Sequence, residues 1–151
     1  MLLSIGIYDG LRMTSIGPKF RQDRILLEFE KKVAAFITAS CLFDTNEPVL
    51  LAVSGGADSV ALLFVMLALA RTGAIDVRLV VGHVNHKLRE QAADADQAFV
   101  ARLGKKAGVK VVARSVDVRS FATERKLSIE TAARKLRIRA LIGIAKENGC
   151  K

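Results

Sequence analysis

The chain has 151 residues, the length of about one globular domain, and 51% of them are hydrophobic and 26% charged. That balance excludes a disordered or fibrous protein. The 24 Lys and Arg residues outnumber the 15 Asp and Glu residues, and the net charge of +9 favours a polyanionic partner such as nucleic acid. A basic surface that serves only solubility is the alternative.

No pattern typical of a secreted or membrane protein is found in the sequence. Cys41 and Cys150 stand far apart without a CxxC pair, which argues against a zinc site or a disulfide framework and fits a reducing cytoplasm. The longest apolar run, Val60–Ala70, has 11 residues, well short of the ~20 that a membrane-spanning helix needs. Residues 1–12 carry neither a basic start nor a small-residue cleavage site. We therefore expect residues 1–20 to be a disordered N-terminal extension rather than a signal peptide.

The first predicted element is an amphipathic helix over residues 21–40, because apolar residues recur there at helical spacing. These apolar residues are Ile25, Leu26, Phe29, Val33, Phe36 and Ile37. The run Val49–Val53 is apolar without alternation, which is typical of a strand buried on both faces of a parallel sheet. A Gly-rich turn over Ser54–Ala57 then leads into a helix that begins near Asp58 and ends before Gly73.

Strands and helices continue to alternate along the rest of the chain. Strands are predicted at Val77–Val84 and Lys110–Val116, with a helix at Ala92–Ala107 between them, and a short helix at Asp117–Lys126 precedes a long helix capped by Ser128. The predicted core face of the long helix consists of Ala133, Leu136, Ala140, Leu141 and Ile144. This order predicts an α/β fold with a doubly wound parallel sheet. A fourth strand is expected just beyond the last residue, so we expect the domain to be truncated after its third strand and the helices that follow.

The sharpest chemical signal is the segment SGGADS, residues 54–59, between a buried strand and the first turn of a helix. Two glycines allow a tight turn and let a phosphate approach main-chain N–H groups, and a helix N-terminus adds unpaired N–H donors. Ser54 and Ser59 can donate to the same anion. The loop lacks the Lys of GxxxxGK[ST], which argues against an ordinary ATPase or kinase, and Asp58 fits best with a Mg²⁺ ion between it and a phosphate. The alternative is a Gly-rich connection in which Ser and Asp only cap the helix.

Three motifs follow one another along the chain: SGGADS at residues 54–59, HVNHKLR at residues 83–89 and SIETAAR at residues 128–134. The first resembles the SGGxDS signature of the ATP-pyrophosphatase, or PP-loop, superfamily, whose members split ATP between its α and β phosphates. The other two are similar to the HxDHxLR and SxExxAR segments of the tRNA(Ile)-lysidine synthases within it. The resemblance covers residues 25–149, although Asn85 and Lys87 replace the family's usual Asp and Gly.

The resemblance implies an adenine nucleotide alpha hydrolase-like, Rossmann-like fold, here an incomplete PP-loop domain over residues 21–151, with ATP and Mg²⁺ as cofactors. It also implies that Asp58 and Arg89 act in catalysis and that Asp58 binds the metal ion. The residues expected to contact the nucleotide are Ser54, Gly55, Gly56, Ala57, Asp58, Ser59, His83, His86, Glu130 and Arg134.

The activity implied by the resemblance is a ligase reaction that forms a C–N bond. ATP adenylates the base oxygen of the wobble cytidine in tRNA(Ile), pyrophosphate leaves, and the side-chain amine of free lysine displaces AMP to give lysidine. The expected partners are thus the anticodon region of tRNA(Ile) and free lysine, in the cytoplasm and without a membrane. The truncated chain is expected to be inactive and to associate, for example as a homodimer, through the exposed edge of Val49–Val53.

Other interpretations are consistent with the same residues. Another PP-loop ligase with a small-molecule acceptor, or a non-catalytic ATP-binding module, would share the loop, whereas a tRNA-thiolating relative would need paired cysteines. His83 and His86 could serve packing at the end of a strand. Glu130 and Arg134 are four residues apart and could form a surface ion pair, and the basic residues around them could be either a solvated face or a tRNA contact.

Overall fold

The computed structural model describes residues 24–44, 46–88 and 90–150. The expected extension over residues 1–20 and the first residues of the predicted 21–40 helix lie outside these ranges. The helices are α1 (Arg24–Ala39), α2 (Ala57–Arg71), α3 (Glu90–Ala107), α4 (Val118–Arg125) and α5 (Ile129–Glu147), and the strands are β1 (Glu47–Ala52), β2 (Val77–Asn85) and β3 (Lys110–Ser115).

The strands form one parallel sheet in the order β1-β2-β3. In the register, Leu51 lies opposite Val81, and Val81 lies opposite Val111. The predicted α/β fold with a parallel sheet is therefore confirmed. Within the described ranges β2 is the central strand, and β1 is paired only on the side of β2.

Both faces of the sheet are covered, which explains why its strands are apolar without alternation. On one face α1, α2 and α3 enclose the main core, whose most buried side chains include Leu63, Val81 and Val100. On the other face α5 packs against β1 and β2. A Cβ atom on Gly82 would lie 3.1 Å from Leu141 Cδ2 and 3.2 Å from Leu50 Cδ1, so the glycine allows α5 to approach the sheet closely.

Side-chain hydrogen bonds cap the starts of α4 and α5. Asp117 Oδ1 accepts a hydrogen bond from Ser120 N at 3.0 Å at the start of α4, and Ser128 Oγ accepts one from Thr131 N at 3.2 Å at the start of α5. The predicted cap at Ser128 is therefore confirmed. In the described part of the chain, no helix has the length and the apolar character needed to cross a bilayer.

Several details differ from the sequence-based expectations. Strand β1 covers Glu47–Ala52 rather than Val49–Val53, and β3 ends at Ser115 rather than at Val116. Strand β2 extends one residue beyond the predicted Val84, so Asn85 belongs to the sheet, because its backbone carbonyl still accepts a hydrogen bond from Val116 N at 2.9 Å. On α5, Ala132 is fully buried in addition to Ala140 and Ile144, which were predicted to be in the core. Ala132 contacts α4 rather than the sheet, and this contact adds a second buried face to the helix.

Candidate functional site

The SGGADS loop connects the carboxyl end of β1 to the first turn of α2. Gly55 has φ +98°, a conformation that side chains rarely adopt, so the turn requires glycine there. Gly56 is the N-cap of α2 with φ −72°, which any residue can adopt. Among the described residues, the atom that a Cβ on Gly56 would meet within 4 Å is Ser54 Oγ, at 3.6 Å. The fold therefore does not need glycine at position 56, and the missing side chain leaves room beside the main-chain amides.

The two serines of the loop lie side by side. Ser59 Oγ donates to Gly56 O at 2.9 Å and accepts a hydrogen bond from Ser54 N at 3.2 Å. The two hydroxyl oxygens are 3.1 Å apart, and Ser54 Oγ also accepts from Gly56 N at 3.3 Å. The two hydroxyl groups therefore lie close enough to each other to contact one common anion.

Asp58 lies in the first turn of α2 and is exposed. A carboxylate at this position is stabilised by the positive end of the helix dipole whether or not a metal is bound. In the ranges the structure describes, no group of three or more His, Cys, Asp or Glu side chains could hold a metal ion. Mg²⁺ is commonly bound by one or two carboxylates together with substrate phosphates and water, so Asp58 fits an ion that arrives with a nucleotide.

A cavity of about 800 Å³ opens beside the loop at the carboxyl ends of β1 and β2. The lining residues come from β1, β2, the following turn, α3 and α5, and they are Ala52, Val53, Ser54, Gly82, His83, Val84, Asn85, His86, Leu88, Ala92, Ala93, Asp96, Arg134, Arg137, Ile138 and Leu141. Ser54 belongs to both the loop and the cavity. Such a crevice outside the carboxyl ends of parallel strands is the usual ligand position in open α/β sheets.

The two histidines differ in their surroundings. His83 is buried, and its Nδ1 lies 2.8 Å from Val53 O. Because a carbonyl oxygen only accepts, this nitrogen carries the proton, and the bond ties the end of β1 to β2. This contact supports the packing role that the sequence left open for His83. His83 also lines the cavity.

His86 is half-buried, and its Nδ1 is buried without a hydrogen-bond partner in the described structure. Burial lowers the pKa of His86 below 6.5, and electrostatic interactions with Arg137 and then His83 lower it further. An imidazole in this environment is neutral at pH 7. It therefore offers an unpaired polar nitrogen at the cavity without adding charge.

Of the two site residues predicted on α5, only one lines the cavity. Arg134 lines the cavity, whereas Glu130 is exposed and is not among the lining residues. No ion pair joins Glu130 to Arg134 in the described residues. The predicted catalytic residue Arg89 lies outside the described residues.

Two charged residues that line the cavity, Arg137 and Asp96, were not predicted as site residues. Arg137 lies almost one helical turn after Arg134, and helical spacing from Arg134 was the signal that could have identified it. Asp96 of α3 approaches the loop, and its Cβ is 3.6 Å from the position of a Cβ on Gly55. No sequence signal connects Asp96 to the loop, because the contact depends on how α3 packs against the sheet.

Comparison with known proteins identifies the class. The family model of the PP-loop domain matches residues 25–151, and the chain belongs to this family, which implies the use of ATP. Among curated proteins, the tRNA(Ile)-lysidine synthase of Petrotoga mobilis is 41% identical over 113 residues, covering 75% of this chain and 35% of that protein. The tRNA(Ile)-lysidine synthase of Dehalococcoides mccartyi is 37% identical over 119 residues, covering 79% of this chain and 25% of that protein.

The chain thus spans about a third or less of the length of these relatives. Among solved structures, the U34-tRNA thiolase NcsA from Methanococcus maripaludis, with its [4Fe-4S] cluster, matches with a TM-score of 0.59 at 14% identity. The match covers 85% of this chain and 44% of the thiolase chain. At this identity the likeness supports the fold alone.

The environment of His86 leads to a prediction about its titration. The Arg137→Gln variant should have a higher pKa at His86, because one nearby positive charge is removed. The pKa should still stay below 6.5, because burial is the larger cause of its lowering. The pKa of His86 is lower in the folded chain than in the unfolded chain. The neutral ring therefore adds to the free energy of unfolding above about pH 6.5, and this contribution is lost as the pH falls through the pKa of the folded chain. The pKa is measured by NMR titration of the ring protons, since the chain has only two histidines.

Arg139→Gln is the matched control, because Arg139 is exposed on the same helix and does not line the cavity. It should leave the His86 titration nearly unchanged. A wild-type His86 that titrates at or above 6.5, or equal shifts in the two variants, would contradict this account of the site.

Proposed function

We propose that this chain is the ATP-binding part of a tRNA(Ile)-lysidine synthase. The observation that carries the proposal is the SGGADS loop, whose Gly56 has no structural need to be glycine, opening beside a cavity lined by Arg134 and Arg137. The identity to curated synthases across three quarters of the chain supports the specific assignment. The net charge of +9 fits a polyanionic substrate, and we assign the chain to the cytoplasm.

The triphosphate would lie along the loop. The amides at the start of α2 would donate to the pyrophosphate portion of ATP, and the hydroxyls of Ser54 and Ser59 would rotate from each other toward it. Asp58 would hold a Mg²⁺ ion, which neutralises phosphate charge when bound. The loop thus holds the pyrophosphate that must leave, and this positioning is the main contribution that a protein makes to such a reaction.

The nucleoside would occupy the cavity between the sheet and α5. Ala52 and Gly82 are small residues that lie opposite each other in the sheet register, and Ile138 and Leu141 contribute apolar surface from the helix. Because Leu141 already packs against Gly82, a flat base would lie beside this contact rather than within it, against the apolar surface of Ala52 and Ile138. Arg134 and Arg137 would then lie close enough to stabilise negative charge on the phosphates during transfer.

The proposed reaction has two steps. The base oxygen of the wobble cytidine in tRNA(Ile) attacks the α-phosphorus of ATP and pyrophosphate leaves, so that the base is adenylated. The side-chain amine of free lysine then attacks the activated carbon, AMP leaves, and the new C–N bond completes lysidine. Arg89, which lies outside the described residues, is proposed to add positive charge in the first step.

The loop assignment predicts a graded effect at Gly56. We expect Gly56→Ala to weaken Mg²⁺–ATP binding about tenfold and Gly56→Val about 100-fold, because a side chain would occupy space needed by phosphate. The free energy of unfolding should change by less than about 1 kcal/mol, since position 56 has an ordinary φ angle and open space around it. Isothermal titration calorimetry and urea unfolding measure the two quantities.

Ala61→Val provides the control for Gly56→Val, because Ala61 is exposed on α2 and lies outside the SGGADS segment. It should leave ATP binding unchanged. Full ATP binding by a folded Gly56→Val protein would exclude the loop as the phosphate site, and an absence of saturable ATP binding by the wild-type chain would refute the proposal.

The assignment to lysidine formation predicts a division of activity. The 151-residue chain should bind ATP but should not join labelled lysine to a tRNA(Ile) transcript, because it spans only 35% of the Petrotoga mobilis protein. A chimera in which the matching segment of this chain replaces that of the Petrotoga mobilis protein should incorporate lysine. If the isolated chain joins lysine to tRNA, the expected inactivity is wrong. A chimera that binds ATP but does not join lysine to tRNA would count against the assignment to lysidine formation.

The free side of β1 suggests how isolated chains would associate. Val53 N donates to Gly82 O of β2 at 2.9 Å, and alternation along the strand turns the N–H groups of Leu50 and Ala52 away from β2. Within the described ranges this side of the strand has no pairing partner. An open strand edge with an apolar sequence is a template for pairing with another chain.

We therefore propose that isolated chains associate through β1, as dimers or larger species. Ala52→Lys should reduce the association measured by sedimentation velocity, because a charged side chain at an exposed position opposes edge pairing. Ala113→Lys, at an exposed position on the other edge strand β3, is the control and should have little effect. A wild-type chain that sediments as a single monomeric species would contradict this proposal.

A further inference from the structure

Asn85 ends β2 and is buried, with 2% of its surface exposed. Its side-chain amide makes three hydrogen bonds. Nδ2 donates to Asp94 Oδ1 at 3.0 Å and to Gln97 Oε1 at 3.1 Å, and Oδ1 accepts from Lys87 N at 2.9 Å. The orientation of the amide follows from its partners, because a carboxylate only accepts and a backbone N–H only donates. Both amide protons and the carbonyl oxygen of this buried group are therefore used.

One of these bonds holds the turn that follows His86. Lys87 has φ +51°, a left-handed conformation that is uncommon for a residue with a side chain and must be held by its surroundings. The bond from Lys87 N to Asn85 Oδ1 closes this turn over His86. The position of the His86 ring at the cavity thus depends on the amide of Asn85.

The other two bonds hold the beginning of α3. Asp94 and Gln97 lie on either side of Asp96 in the sequence. Asp96 lines the cavity, and its Cβ lies 3.6 Å from the place that a Cβ on Gly55 would take. An anchor at Asp94 and Gln97 therefore sets the distance between α3 and the SGGADS loop. A single buried amide is joined to two walls of the cavity.

We infer that Asn85 is a positioning residue for nucleotide binding, which holds the His86 turn and the start of α3 in register with the SGGADS loop. The inference rests on the proposed function, since it concerns the same cavity. The side-chain hydrogen bonds of Asn85 go to the turn after His86 and to α3 and not to the loop, so Asn85 acts through these two elements.

The hydrogen-bond pattern also explains why Asn rather than Asp suits position 85. In an Asn85→Asp variant, the new carboxylate and that of Asp94 would face each other across the present distance of 3.0 Å, with no proton between them. Gln97 can turn its amide to donate, but Asp94 cannot. Combining Asn85→Asp with Asp94→Asn exchanges the two residues and restores a donor for every acceptor. The identities at positions 85 and 94 are therefore coupled.

The test uses the 151-residue chain and four variants: Asn85→Ala, Asn85→Asp, Asp94→Asn and the exchange that combines Asn85→Asp with Asp94→Asn. Asn85→Ala and Asn85→Asp should each weaken Mg²⁺–ATP binding about tenfold or more, because sub-ångström placement of the walls is lost. The exchange should recover binding to within about threefold of wild type, and Asp94→Asn alone should stay in that range because the new amide oxygen at position 94 still accepts from Asn85. Calorimetry measures binding, and circular dichroism shows that each variant is folded.

A second readout does not depend on nucleotide. In Asn85→Ala, which changes no charge, the His86 ring should become more exposed and its pKa should rise toward 6.5 in the NMR titration, whereas Asp94→Asn should leave it near the wild-type value. If the wild-type chain does not bind ATP, the proposed function fails, and this titration still decides whether Asn85 holds the His86 turn in place. A side chain that only stabilises the fold would lower the unfolding free energy without moving His86.

Three outcomes would overturn the inference. They are a folded Asn85→Ala protein with wild-type ATP affinity and His86 titration, a folded exchange variant that binds no better than Asn85→Asp, and an exchange variant that does not fold. The exchange also decides the matter if the single variants at position 85 fail to fold, because it has as many donors and acceptors as the wild type. A folded exchange variant with near-wild-type affinity supports the coupling.

Discussion

The parallel pairing of β1 with β2 is the constraint on which the candidate site depends. Two hydrogen bonds close the pair at its carboxyl end, from Val53 N to Gly82 O at 2.9 Å and from His83 Nδ1 to Val53 O at 2.8 Å. They hold the end of β1, and with it the start of the SGGADS loop, next to the residues that follow β2. Without this pairing the loop would be a glycine-rich turn with no cavity beside it.

Around this pair, a helix N-terminus and two arginines supply positive charge, which is the arrangement proposed to hold the phosphates. The N-terminus of α2 points its amides at the loop, and Arg134 and Arg137 face the cavity from the opposite layer. Burial and Arg137 keep the pKa of His86 low, so the ring stays neutral at neutral pH. Positive charge is therefore supplied by the arginines and the helix, while the histidine can exchange a hydrogen bond without a change of charge.

The candidate site was only partly predictable from the sequence, and the two histidines show why. His83 and His86 belong to one motif, and both were expected to contact the nucleotide. The structure gives His83 a buried bond to Val53 O and leaves His86 Nδ1 without a partner in the described residues. Similarly, Arg134 reaches the cavity whereas Glu130, one turn earlier on the same helix, does not. Such differences depend on the tilt and rotation of α5 against the sheet, which spacing along a sequence does not encode.

The sequence by itself determined the order of strands and helices, the parallel sheet and the place of the glycine loop, because hydrophobic periodicity and backbone freedom are local properties. Only the tertiary structure decided which distant residues meet there. Asp96 near Gly55, Arg137 near His86, and Asn85 bonded to Asp94 and Gln97 all arise where one packed layer meets another. Close packing sets those distances to fractions of an ångström, and a one-dimensional pattern carries no such information.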